Sequence, residues 1–188
     1  MKPIEEKELQ TKSIRYDQVI MCPKCFHGEY VEITETVKVR PKNAKLFVHY
    51  LDDIAIYRSD MSMVCGKCGW KSDRASLIDS EIFPVIKVLN EKGYYTENCC
   101  SGHVFEYDGT MSYAYISFGP MPKIIKQSKF YENISKNIPS SWYLDENEWC
   151  EPWCCALRVD EKVQLNDPEK KYLKDILSWA QQLPKFEW

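Results

Sequence analysis

The sequence predicts an α+β protein, with an amino-terminal β module over residues 1–75 and a mixed sheet carrying about three helices over residues 76–188. Three observations carry this. Two Cys-x-x-Cys pairs, Cys22-Pro23-Lys24-Cys25 and Cys65-Gly66-Lys67-Cys68, are joined by a stretch whose apolar residues alternate with the period of two that strands impose. Past Leu77 the apolar residues recur at steps of three and four, as on a helix with one buried face. Strand-like and helix-like runs then mix in an order that suits helices packed on a sheet.

Taken in order, residues 14–20 form a strand leading into the first cysteine pair, and residues 30–39 alternate as a second strand. Pro41-Lys42-Asn43 turns the chain, residues 46–51 and 54–57 are rich in β-formers, and residues 61–64 approach the second pair. A helix begins near Leu77, with Asp79 or Ser80 as its cap, Glu81 placed for the helix dipole, and Ile82, Val85, Ile86 and Leu89 as its stripe. Pro84 suits only a first turn, and Gly93 closes the helix. Residues 94–99 and 111–118 are strands around a loop containing Ser101, Gly102, Asp108 and Gly109. Residues 123–138 form a second helix, and residues 142–144 and 155–159 a hairpin. In the last helix Asp167 caps, Pro168 takes the first position, Tyr172, Leu173, Ile176, Leu177, Ala180 and Leu183 share a face, and Pro184 stops the chain.

A length of 188 residues suits one domain, or a small metal-stapled module joined to a compact core. No apolar run approaches the roughly 20 residues that span a bilayer, and MKPIEEKELQ at the amino terminus lacks the apolar stretch of a signal peptide. The expectation is a cytoplasmic protein with no membrane partner. In that reducing compartment the 9 cysteines serve metal binding, catalysis or burial rather than disulfides. A net charge of −3 opposes a whole-surface attraction to RNA or DNA, leaving only local basic patches such as Lys38, Arg40, Lys42 and Lys45.

Four thiolates presented as two Cys-x-x-Cys turns make a zinc-ribbon-like site, with Cys22, Cys25, Cys65 and Cys68 as the ligands. Gly28 and Gly69 relieve the backbone where it folds under the sulfurs. Such a site is closed, so it stabilises folding and activates no water. A second group, Cys99-Cys100-Ser101-Gly102-His103 with Cys150, Cys154 and Cys155, has no regular ligand spacing, and buried inert cysteine competes there with a second metal site. Successive strand residues face opposite ways, so Cys99 and Cys100 do not form one ligand unit. In this loop Cys100 is a candidate thiolate nucleophile, His103 its base, Ser101 a further catalytic candidate, and Gly102 a point of close substrate approach.

The run Ile78-Asp79-Ser80-Glu81-Ile82-Phe83-Pro84, with Leu89-Asn90, Tyr95-Thr96-Glu97-Asn98-Cys99-Cys100-Ser101-Gly102-His103 and Tyr115-Ile116-Ser117-Phe118, resembles a group of uncharacterised bacterial and phage proteins bearing a CCSGH segment. More distantly, over about 40 residues, it resembles the wybutosine-synthesis tRNA methyltransferase family, to whose loop Cys100, Ser101 and Gly102 correspond, with His103 where that family has arginine. The second resemblance implies an RNA-modifying enzyme using S-adenosylmethionine. The residues themselves favour a zinc-binding module contacting RNA, DNA or a protein partner, with 12 tyrosines and 6 tryptophans as a source of stacking surfaces.

Overall fold

The computed structural model describes residues 10–39, 63–72, 76–104, 111–118, 124–145 and 155–187. The strands expected over residues 46–51 and 54–57, and the turn before them, lie outside these. Two compact units divide the chain, one of Met1–Leu77 with Val104–Met111 and the other of Ile78–His103 with Ser112–Trp188. Antiparallel strands, together with helices that among the described residues all lie in the second unit, make the protein α+β.

In the first unit β1 (Gln10–Met21) and β2 (Gly28–Val39) are antiparallel along their whole length, from Gln10 opposite Val39 to Met21 opposite Gly28. Both expected strands are present and run longer than their apolar alternation suggested. The short strands β3 (Met63–Val64) and β4 (Lys71–Ser72) pair as a second hairpin. The chain passes into the second unit within β5 (Ser76–Asp79), which completes a three-stranded sheet in the order β2-β1-β5.

The second unit is built on an antiparallel sheet of β6 (Thr96–Cys100), β9 (Tyr115–Phe118), β10 (Trp142–Asp145) and β11 (Cys155–Val159), in the order β10-β11-β9-β6. Between β6 and β9 lies the small pair β7 (His103–Val104) and β8 (Met111–Ser112). Four helices occur among the described residues: α1 (Phe83–Glu91), α2 (Ile124–Ser135), α3 (Glu161–Asn166) and α4 (Lys171–Gln182). None is long and apolar enough to cross a membrane. Alternation on the central strands buries Ile116, Phe118, Leu157 and Val159 on one face. There Phe118, Phe130, Tyr94 and Phe186 meet in tilted and edge-on pairs with ring centroids 5.3–5.6 Å apart. Each such pair contributes about 1 kcal/mol beyond its buried area. At the sheet edge Trp142 packs on Tyr172 and donates its Nε1–H to the Tyr172 carbonyl at 2.9 Å.

Two helix starts differ from expectation. Residues 76–79 are extended as β5, and α1 begins at Phe83 with Ile82 as its cap residue and no side-chain cap. Asp79 and Glu81 are instead spent on the loop after β6. Asp167 does not start the last helix; it ends α3, an additional helix that Asp160 caps by accepting the Lys162 and Val163 N–H groups. Lys170, with φ of 50°, then starts α4, and Asp167 still accepts the Tyr172 N–H at 3.3 Å. The buried face of α4 holds Tyr172, Leu173, Ile176 and Ala180 as expected, with Leu177 only half-buried, Leu183 just past the helix end, and Trp179 added, donating its indole N–H to the Lys136 carbonyl.

Candidate metal centre

Both cysteine pairs sit in turns that close β-hairpins. Residues 22–27 join β1 to β2, and residues 65–70 join β3 to β4. Their backbone bonding is the same. Cys22 N–H donates to the His27 carbonyl and Phe26 N–H to the Cys22 carbonyl; Cys65 N–H donates to the Trp70 carbonyl and Gly69 N–H to the Cys65 carbonyl, all at 2.8 Å. A left-handed residue just before the accepting carbonyl turns the chain back to close the first bond of each turn. Gly69 supplies it with φ of 69°, but in the first turn the residue is Phe26, with φ of 54°, and not the expected Gly28, which instead opens β2 opposite Met21.

The two turns bring Cys22, Cys25, Cys65 and Cys68 together with all four sulfurs within 4.8 Å of one another. Cys22 Sγ lies 3.8 Å from Cys68 Sγ, and Cys25 Sγ lies 3.7 Å from Cys65 Sγ. A tetrahedral ion with metal–sulfur bonds of ~2.3 Å separates its sulfurs by about 3.8 Å, so the donor set fits such an ion. It does not fit a disulfide, whose sulfurs are ~2.05 Å apart, and all four cysteines are free. Cys22 and Cys65 are buried, with Ile20 and Trp70 packed against them, while Cys25 and Cys68 are nearer solvent.

Backbone amides are directed at these sulfurs. The Cys68 N–H, helped by that of Lys67, lowers the Cys65 thiol to about 7 against the opposing effect of burial. At Cys25 the His27 N–H acts the same way but is outweighed by burial and by the sulfurs of Cys68, Cys65 and Cys22, which raise it to about 11. Four sulfurs this close cannot all be anionic without a cation, and a divalent ion replaces the protons they otherwise keep.

The Cys-Ser-Gly-His loop is placed separately, in the second unit. Ser101 has 0% exposure, and its polar groups are all engaged. Its N–H donates to Asp79 Oδ2 at 2.9 Å, its hydroxyl donates to Glu81 Oε2 at 3.1 Å, and its carbonyl accepts from the Tyr172 hydroxyl at 3.0 Å. Lys170 pairs with the same Glu81 oxygen. Burial, then the Glu81 and Asp167 carboxylates, push the Tyr172 phenol well above its usual range, which keeps it a donor.

Gly102 has φ of 82°, and a Cβ there would stand 2.6 Å from Gln164 Nε2. The close approach expected of this glycine is thus made by Gln164, whose Oε1 also accepts the Ala114 N–H at 2.8 Å. Cys100 lies opposite Tyr115 and accepts the Gly102 N–H at 3.4 Å, Cys99 lies opposite Ile116, and Cys155 is buried opposite Phe118. His103 opens β7, but its side chain lies outside what is described, as do Cys150 and Cys154. Among the described residues, Cys22, Cys25, Cys65 and Cys68 are the one group of three or more Cys, His, Asp or Glu spaced for a metal.

Sequence reasoning did not reach the supports of this loop, Asp79, Glu81, Gln164, Lys170 and Tyr172. The only local signal was the acidic pair before α1, which also suits a helix start. Asp79→Ala strips the acceptor from a buried N–H and is expected to lower stability by about 2 kcal/mol. Asp79→Asn keeps an acceptor oxygen and should lose less than half of that. Urea unfolding of the two variants checks it, and equal losses would show that the Ser101 bond is not the cause.

Comparison of the chain with protein-family models, with curated proteins and with solved structures gives no match to any of them.

Proposed function

We propose that the chain is a zinc-binding protein whose first unit is a zinc-ribbon-like module, and that it works by binding nucleic acid rather than by catalysis at the metal. The observation that carries this is the tetrahedral spacing of the four cysteine sulfurs at the tips of two identically bonded turns. Four soft thiolates in a tetrahedral set favour zinc. With every position filled by protein, the ion has no site for water or substrate, so it acts as a staple.

The alternative, an RNA-modifying, methyltransferase-like enzyme using S-adenosylmethionine at the CCSGH loop, has less support. Ser101 has no free polar group to offer a substrate, and Gly102 is filled in by Gln164. Cys100, half-buried beside the loop, is the residue on which that reading rests.

Elemental analysis of the purified protein is expected to give about one zinc per chain, and labelled oligonucleotides are expected to bind in a salt-dependent way. Absence of zinc with four titratable thiols in the native protein overturns the metal assignment. Absence of binding at low salt overturns the nucleic-acid assignment and leaves a protein partner.

A further inference from the structure

We propose that the metal end of the first unit is a binding surface for single-stranded nucleic acid, with Lys24, Lys67 and Lys71 on the phosphates and Tyr30 stacked on a base. This rests on the nucleic-acid reading above and names the surface responsible for it.

The two turns repeat each other in backbone bonding and in the positions of Cys, Lys and Cys. Lys24 and Lys67 both hold the third position of a Cys-x-x-Cys turn with the same backbone bonds, and the sulfurs within 4.8 Å bring both turns to one end of the unit. Both lysines are exposed, as is Lys71, which stands directly opposite Val64 in the β3–β4 pair. Residues 21–30 and 63–72 contain these three lysines and a single carboxylate, Glu29. In a chain of net charge −3 this is a local reversal of sign, and it sits on turns that a metal bound by the four cysteines would hold rigid.

Charge alone describes many solvated surfaces, but apolar exposure coincides with it here. Tyr30 at 68% is the most exposed large hydrophobic residue among those described, and Val64 is 60% exposed. Tyr30 lies two residues past the start of β2, on the same strand face as Gly28 at the end of the first turn. An exposed aromatic ring on the strand that leaves a lysine-bearing turn suits unpaired bases, since any base offers a flat face for stacking while its phosphates meet the cations. A duplex offers no such face, because its bases are already stacked.

The test uses the full, metal-loaded chain and fluorescein-labelled 20-mers of oligo-dT and oligo-rU, read by anisotropy at several salt concentrations. Each phosphate contact on a single strand contributes ~0.7 to the slope of log affinity against log salt, so joint Lys24→Gln, Lys67→Gln and Lys71→Gln should flatten the slope by about 2 and weaken low-salt binding about tenfold or more. Tyr30→Ala should weaken binding about tenfold at every salt concentration while keeping the slope. A control with Lys162, Lys174 and Lys185 changed to glutamine makes the same charge change on exposed residues of the second unit and should leave the slope as it was.

Wild type that binds neither oligonucleotide at low salt overturns the nucleic-acid reading and this surface with it. Wild type that binds, with the knuckle variants indistinguishable from it or from the control, overturns the surface alone. A triple lysine variant that loses its metal yet binds normally also overturns it, since the lysines would then only offset the charge of the sulfurs. DNA and RNA arms of equal strength fit stacking on any base; a preference for one identifies the nucleic acid.

Discussion

Cys65→Ser is expected to leave the purified protein without its metal and to unfold the metal end of the first unit. Cys65 is buried, its sulfur lies 3.7 Å from that of Cys25, and two backbone N–H groups favour its thiolate. In small zinc modules the metal contributes roughly 10–16 kcal/mol that is also folding energy, so losing one of four ligands costs about 3 kcal/mol or more, a hundredfold or more in affinity. A serine hydroxyl in that buried position adds an unmet polar group. Dialysis against a chelator followed by elemental analysis, with near-ultraviolet circular dichroism, measures both effects. Cys99→Ser, which removes a thiol outside the cluster, should keep about one metal per chain. A Cys65→Ser protein that retains its metal through the same dialysis would show that the cluster is not the binding site.

Gly93→Ala should destabilise the second unit by about 3 kcal/mol. Two effects add. With φ of 88° the residue lies where side chains are strained by roughly 1–2 kcal/mol, and its Cβ would fall on the backbone carbonyl of Phe186, far inside van der Waals distance. That carbonyl belongs to a fixed segment: Phe186 N–H donates to the Lys92 carbonyl at 2.7 Å, Tyr94 donates its hydroxyl to the Pro184 carbonyl at 3.0 Å, and the Phe186 ring packs on Tyr94 and Phe130. Moving it disturbs the aromatic core, at a further cost of about 1–3 kcal/mol. Gly69→Ala is the contrast. Its φ is 69° but nothing lies within 4 Å of the added Cβ, so only the conformational cost of about 1 kcal/mol remains. Urea unfolding gives the first loss and metal competition the second; a Gly93→Ala loss no greater than that at Gly69 would remove the steric part of the account.

Much of the fold follows from spacing along the chain. The alternation that marks residues 14–20 and 30–39 is that of β1 and β2, and the stripe of Val85, Ile86 and Leu89 is the buried side of α1. The hairpin expected around residues 142–159 pairs as β10 and β11. These are local properties, since burial on one face imposes a period that composition then displays. Helix starts were less legible. Carboxylates that start a helix and carboxylates that hold a distant loop are the same residue types, so Asp79 looked like a cap and Glu81 like a partner of the helix dipole while both hold the Ser101 loop; Asp167 does accept a first-turn N–H of α4, although it also ends α3.

By itself the sequence determined that four thiols are paired in two tight turns, because Cys-x-x-Cys is a local constraint on where two sulfurs can point. It could not determine how the turns meet. That Cys22 faces Cys68 and Cys25 faces Cys65, and that Phe26 rather than Gly28 takes the left-handed position, was decided by the hairpins on either side. The same holds for the Cys-Ser-Gly-His loop. Ser101 is fixed by partners 20, 22 and 71 residues away, and no period or propensity encodes which distant donor or acceptor will arrive within hydrogen-bonding distance. Buried polar groups must be satisfied, and only the assembled tertiary structure selects what satisfies them.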